Sequence, residues 1–141
     1  MSEPIVVERR ISAPPASVYA YLTEADKWTR WQGIEATFDP RRGGIFSLAM
    51  PNGSNARGEF VELVPDARVV FTWGWLDHPS VPPGSSIVEI DLVPDGSGTL
   101  LTLTHRGLAD DEVATHTEGW NHYLPRLGAV AQGEDVEAEV S

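Results

Sequence analysis

With 141 residues, no cysteine and a formal net charge of -11, the chain has room for one ordinary domain and no disulfide framework, thiol nucleophile or cysteine-ligated zinc. Such a charge repels phosphate backbones, and the basic residues are scattered rather than striped, which sets nucleic-acid binding aside. MSEPIVVERRI meets acidic and basic residues before any apolar run of signal-peptide length, and no stretch approaches a membrane span, so a soluble cytoplasmic protein without membrane insertion is expected.

PIVVERRIS carries Ile5, Val6, Val7 and Ile11 in a weak alternation that suits a first strand. SAPPASVYAYL then reads as a short helix, with Ser12 placed to cap it, two prolines at its start and Val18, Tyr19 and Leu22 at helical spacing. EADKWTRW continues as a further helical turn that puts Trp28 and Trp31 on one face. From residue 34 the period changes. IEATF, GIFSLAM, ARGEFVELV, RVVFTWGWL, SSIVEIDLV and GTLLTLTHRGL are separated by turn-rich PRRGG, PNGSN, PDA, HPSVPPG and PDGSG, which favours antiparallel hairpins over parallel crossovers. In SSIVEIDLV the residues Val88, Ile90 and Leu92 alternate with Glu89 and Asp91, so the sheet has a dry face and a wet face. FTWGW would project Phe71, Trp73 and Trp75 from one side of its strand.

ADDEVATHTEGWNHYLPRLGAVAQ reads as a long helix that opens on Asp110, Asp111 and Glu112, favourable at the positive end of its dipole. At 100° per residue Val113, His116, Leu124, Leu127 and Ala131 lie within about 40° of Trp120, with Tyr123 on the flank, and this face covers the dry side of the sheet. Pro125, with Gly119 nearby, predicts a bend over residues 119–125. The acidic end, residues 134–141, reads as a flexible solvated tail on a single domain of residues 1–133.

The order of strand, two short helices, six strands and long helix resembles the START-like (SRPBCC) superfamily. FTWGW, PDGSGTLLTLTHRGL and HTEGW before LPRL resemble the family named after the activator of heat-shock-protein ATPase, over residues 5 to about 131. The resemblance implies an α+β helix-grip fold, in which a curved antiparallel sheet of six or seven strands wraps around the long C-terminal helix. It also implies a cavity between sheet and helix, and three functions: binding of a small hydrophobic, aromatic or lipid-like molecule, a chaperone partnership, or polyketide cyclase-like catalysis. Fold alone does not choose among them.

The residues expected to wall such a cavity are Trp28, Trp31, Phe46, Phe60, Trp73, Trp75, Trp120 and Tyr123, an apolar set needing few polar anchors. His105 shares the strand face of Leu101 and Leu103 and is the expected polar anchor; with Tyr123 it is also the candidate for any acid–base chemistry. His116, near a helix start, is expected at the rim. Glu59 and Glu62 read as solvated, and a bulge at Gly58 would flip the face assigned to Phe60. GxSxG, GxxxxGK[ST] and HExxH are absent, His116 and His122 do not share a helical face, and neither cofactor nor metal is expected.

Overall fold

The computed structural model describes residues 3–137. Strand β1 (Ile5–Ile11) buries Ile5, Val7 and Ile11 and leaves Val6 outside, the alternation of a strand with one dry face. Helix α1 (Pro15–Thr23) starts at Pro14, not at a Ser12 cap. Proline already fixes the entry angle there, and Ser12 is used otherwise: its N–H donates to Gln132 Oε1 at 2.7 Å, tying the end of β1 to the far end of the chain. Val18 and Leu22 are fully buried, and the short α2 (Ala25–Trp28) follows directly.

Six strands then run as a meander: β2 (Glu35–Phe38), β3 (Ile45–Ala49), β4 (Asn55–Val64), β5 (Arg68–Trp73), β6 (Ser86–Asp95) and β7 (Gly98–Arg106). The sheet order is β1-β7-β6-β5-β4-β3-β2, antiparallel at every pairing, so the first strand closes against the last and α1 and α2 bridge the chain to the opposite edge. Val88, Ile90 and Leu92 point inward, while Glu89 and Asp91 meet Arg68 on the outer face at 2.8 and 2.7 Å. The irregularity in β4 falls between Phe60 and Glu62 rather than at Gly58, and therefore leaves Phe60 fully buried, with Glu59 and Glu62 exposed.

Helix α3 (Asp110–Ala131) buries His116, Trp120, Leu124, Leu127 and Val130. It stays helical through Gly119 and Pro125, so the proline does not end or divide it; Leu124 and Leu127 on either side are both anchored in the core. Beyond it, Val136 packs against the core and Arg126 donates to the Glu137 carbonyl at 2.7 Å, so the first part of the acidic end lies against the body. The rest of the segment read as a flexible tail, residues 138–141, lies outside the described residues. Among the described residues no helix is long and apolar enough to cross a membrane.

Candidate functional site

Where β5 ends, the chain does something a plain hairpin would not. Gly74 passes so close to the Pro82 carbonyl that a Cβ there would overlap it, and Trp75 donates its backbone N–H to Val81 at 2.7 Å while bridging to Ala56. This crossing keeps Trp75 on the same side as Trp73, with ring centroids 5.2 Å apart at 83°. Trp120 comes from α3 to stand 5.4 Å from Trp73 at 53°.

These three indoles and Tyr123 wall one side of a cavity of about 560 Å³, within the range of small-molecule sites. Met50, Asn52, Gly53 and Ser54 of the β3–β4 turn, Leu76, Asp77 and His78 after β5, and Glu112, Thr115, His116 and Gly119 of α3 complete it, with Gln32.

Two of the indoles are locked by histidines. Trp120 Nε1 donates to His105 Nδ1 at 3.0 Å, and an indole N–H can only donate, so Nδ1 carries no proton. The Ser86 hydroxyl donates to the Trp73 carbonyl at 2.8 Å and is therefore free to accept from His105 Nε2, 2.9 Å away. Both ring nitrogens are thus engaged, and His105 is 1% exposed. Burial, with the His116 ring beside it as a smaller cause, lowers its pKa to about 3. In the same way Trp75 Nε1 donates to His116 Nε2 at 3.1 Å, and His116 Nδ1 donates to the Glu112 carbonyl at 2.8 Å. The Trp73 N–H is buried and has no acceptor among the described residues. A buried donor left unpaired costs about 1–3 kcal/mol, so this wall is not arranged for stability alone.

Trp73, Trp75, His116, Trp120 and Tyr123 of the expected set line the cavity. The others are elsewhere. Trp28, Trp31, Phe46 and Phe60 are all fully buried in a solid aromatic cluster, because α2 and the β2–β3 hairpin close over them. His105 sits behind Trp120 rather than in the cavity, and its engaged nitrogens leave no lone pair for a substrate proton. The sequence reading did not single out Asp77 and His78, and it took Gly119 only as part of a helix bend and Glu112 only as a partner of the helix dipole. HPSVPPG looks like an ordinary turn. The detectable signal for Glu112 was its spacing to His116, one helical turn on, which brings Glu112 Oε1 to 3.8 Å from His116 Nδ1.

A family model described as activator of Hsp90 ATPase homolog 1-like protein matches residues 12–132. The chain belongs to this family. The helix grip of the START-like proteins is the fold described above, and solved structures similar to this chain share it. A solution structure of an AHSA1-like protein from Rhizobium etli is 48% identical, covering 96% of this chain and 86% of that one, with a TM-score of 0.70. The crystal structure of CalU16 from Micromonospora echinospora is 30% identical, covering 91% of this chain and 75% of that one, with a TM-score of 0.76. Among curated proteins, the human activator of 90 kDa heat shock protein ATPase homolog 1 is 25% identical over 119 residues, which are 84% of this chain and 34% of that protein. The chain thus spans about a third of the length of the curated relatives it matches.

Proposed function

We propose that the protein binds a small, largely apolar and aromatic molecule without covalent chemistry, in the cavity between α3 and the end of β5. The observation that carries this reading is a space of about 560 Å³ walled by Trp73, Trp75, Trp120 and Tyr123, two of whose indoles are held in place by hydrogen bonds to histidines. Rings fixed before the guest arrives lose little freedom on binding, which is how a site of modest polarity gains affinity. Polar atoms of Asn52, Ser54 and Thr115 would orient the guest.

The test fills the cavity without touching the fold. Gly119 lines it, and a Cβ built there meets nothing within 4 Å. Gly119→Leu should keep or raise the melting temperature and abolish saturable quenching of tryptophan fluorescence by a panel of flavonoids, fatty acids and polycyclic aromatics. In the unaltered protein, ligands that quench should also stabilise, by about 2.7 kcal/mol at a hundredfold excess over Kd. Quenching that survives in Gly119→Leu would place the ligand somewhere else.

The relation to the human activator supports a second reading, docking on a chaperone ATPase. It requires no cavity. A rise in the chaperone's ATPase rate with added protein, lessened by salt and unchanged in Gly119→Leu, would favour it. A cyclase-like enzyme would have to recruit Glu112, His78 or Tyr123, since His105 has no free nitrogen.

A further inference from the structure

The charge on the cavity lining has one sign. Asp77 and Glu112 line it, and no lysine or arginine does so among the described residues. Glu112 is largely sheltered, its side chain 15% exposed, and its neighbours are two histidine rings: His78 Nε2 at 3.7 Å and His116 Nδ1 at 3.8 Å. Neither ring has to bring a cation. His116 accepts the Trp75 N–H on one nitrogen and donates from the other to a backbone carbonyl, and His78 Nδ1 accepts the backbone N–H of Ser80 at 3.2 Å. Both therefore make these bonds as neutral imidazoles.

The indoles line the same space, and Trp75 reaches the Glu112 neighbourhood through its bond to His116. Indole carries the most negative face of the natural side chains, and three of them meet here at 53° and 83° to one another. An anion entering this space would face two carboxylates and electron-rich rings with no lysine or arginine to offset them. A cation would be favoured by both, and the approach of any charged guest would be biased the same way by the net charge of -11.

We propose that the cavity selects an apolar molecule bearing a positive charge, an alkylammonium or protonated nitrogen heterocycle, over neutral and anionic molecules of the same shape. This rests on the reading of the cavity as a ligand site and adds the chemical class of the ligand. The guest's apolar body lies against Trp73, Trp75 and Trp120, and its charged head lies toward Asp77 and Glu112.

Three soluble probes with a common benzyl group and a tetrahedral head separate charge from shape: benzyltrimethylammonium, benzyl methyl sulfone and phenylmethanesulfonate. Their dissociation constants are read from the indole N–H resonances of Trp73, Trp75 and Trp120. The ammonium should bind about tenfold more tightly than the sulfone, and the sulfonate most weakly. Asp77→Asn with Glu112→Gln should remove most of the ammonium's advantage over the sulfone, and raising salt should shrink that advantage in the native protein. The sulfone probe reports whether the doubly substituted protein is still folded around its cavity. Equal binding of ammonium and sulfone, or a preference that survives the double substitution, overturns the charge selection while leaving the ligand site in place. No binding of any probe to the native protein, with no difference in Gly119→Leu, overturns both.

Discussion

The two ends of the sheet's dry face are built from the same kinds of aromatic residue, packed solid at one end and set around open space at the other. At one end Trp28 and Trp31 lie 4.5 Å apart, Phe46 stacks on Phe71 at 4.3 Å and 12°, and Phe38 stacks on Phe46 at 4.9 Å and 14°. The indole donors there reach oxygens: Trp28 bonds Gln32 Oε1 and Trp31 bonds the Tyr21 carbonyl, each at 3.1 Å. At the other end Trp73, Trp75 and Trp120 stand at steep angles around open space, and two of their donors are held by histidine nitrogens. The difference lies in what covers each end. α1, α2 and the β2–β3 hairpin supply enough side-chain volume to plug the first, whereas the second is roofed by the N-terminal half of α3, where Gly119 contributes no side chain. An aromatic residue on this sheet is core or wall according to its neighbour across the layer, and the residue itself does not decide.

The sharpest break of this division is Trp31→Ala. Emptying a fully buried indole site should cost about 3–5 kcal/mol, seen as a lower denaturation midpoint, while protein that remains folded in the cold should bind cavity ligands with unchanged affinity. Loss of binding at full stability would mean that the two ends are one site.

The next effect belongs to His105, behind the cavity wall. Its pKa is lowered from 6.5 to about 3 in the folded protein by burial. The unfolded chain takes up this proton below pH 6.5 and the folded one does not, so the contribution is complete above pH 6.5 and is lost progressively as pH falls toward 3. Unfolding free energies measured across that window should decline with acid, and His105→Gln, less stable at neutral pH, should show a shallower decline. Equal slopes would mean that the ring is already charged in the fold. A smaller change follows from Trp75→Phe, which keeps a ring in the wall and removes the donor to His116. One hydrogen bond lost, leaving its acceptor on the buried His116, should cost about 1–2 kcal/mol, and ligand affinity should fall more than stability does.

How much of this was legible depends on whether the signal was local. Strand alternation gave the inward set Val88, Ile90, Leu92, Leu101, Leu103 and His105, and helical spacing gave Trp120, His116, Leu124 and Leu127, because each pattern is fixed within one element. Period 2 also put Phe71, Trp73 and Trp75 on one side, although the strand itself stops at Trp73. What could not be read was which aromatics face a void, since Trp28 and Trp75 differ in what lies 5 Å away from elements distant in sequence. Asp77 was hidden for a related reason: its backbone adopts φ of 63°, in a loop whose course is set by the Gly74 and Pro82 crossing rather than by any repeat. His105 was placed on the correct face, yet its reach into the cavity was not decided by parity, because Trp120 stands between.

The smallest effect discriminates most finely between the two ends. Glycine inside a helix is less favourable than alanine by roughly 0.5–1 kcal/mol, chiefly through the entropy of the unfolded chain. Gly119 has an ordinary helical setting and open space where a Cβ would go, so Gly119→Ala should raise stability by about that amount. If the cavity end were merely an imperfect core, the added methyl would improve packing and change nothing else. If it is a binding wall, the same methyl takes volume from the guest, and affinity for the larger polycyclic ligands should drop severalfold while that for small benzyl compounds holds. Stability and affinity moving in opposite directions at one position is the signature of space kept open against the preference of the fold, and a parallel rise in both would return this end of the sheet to the core.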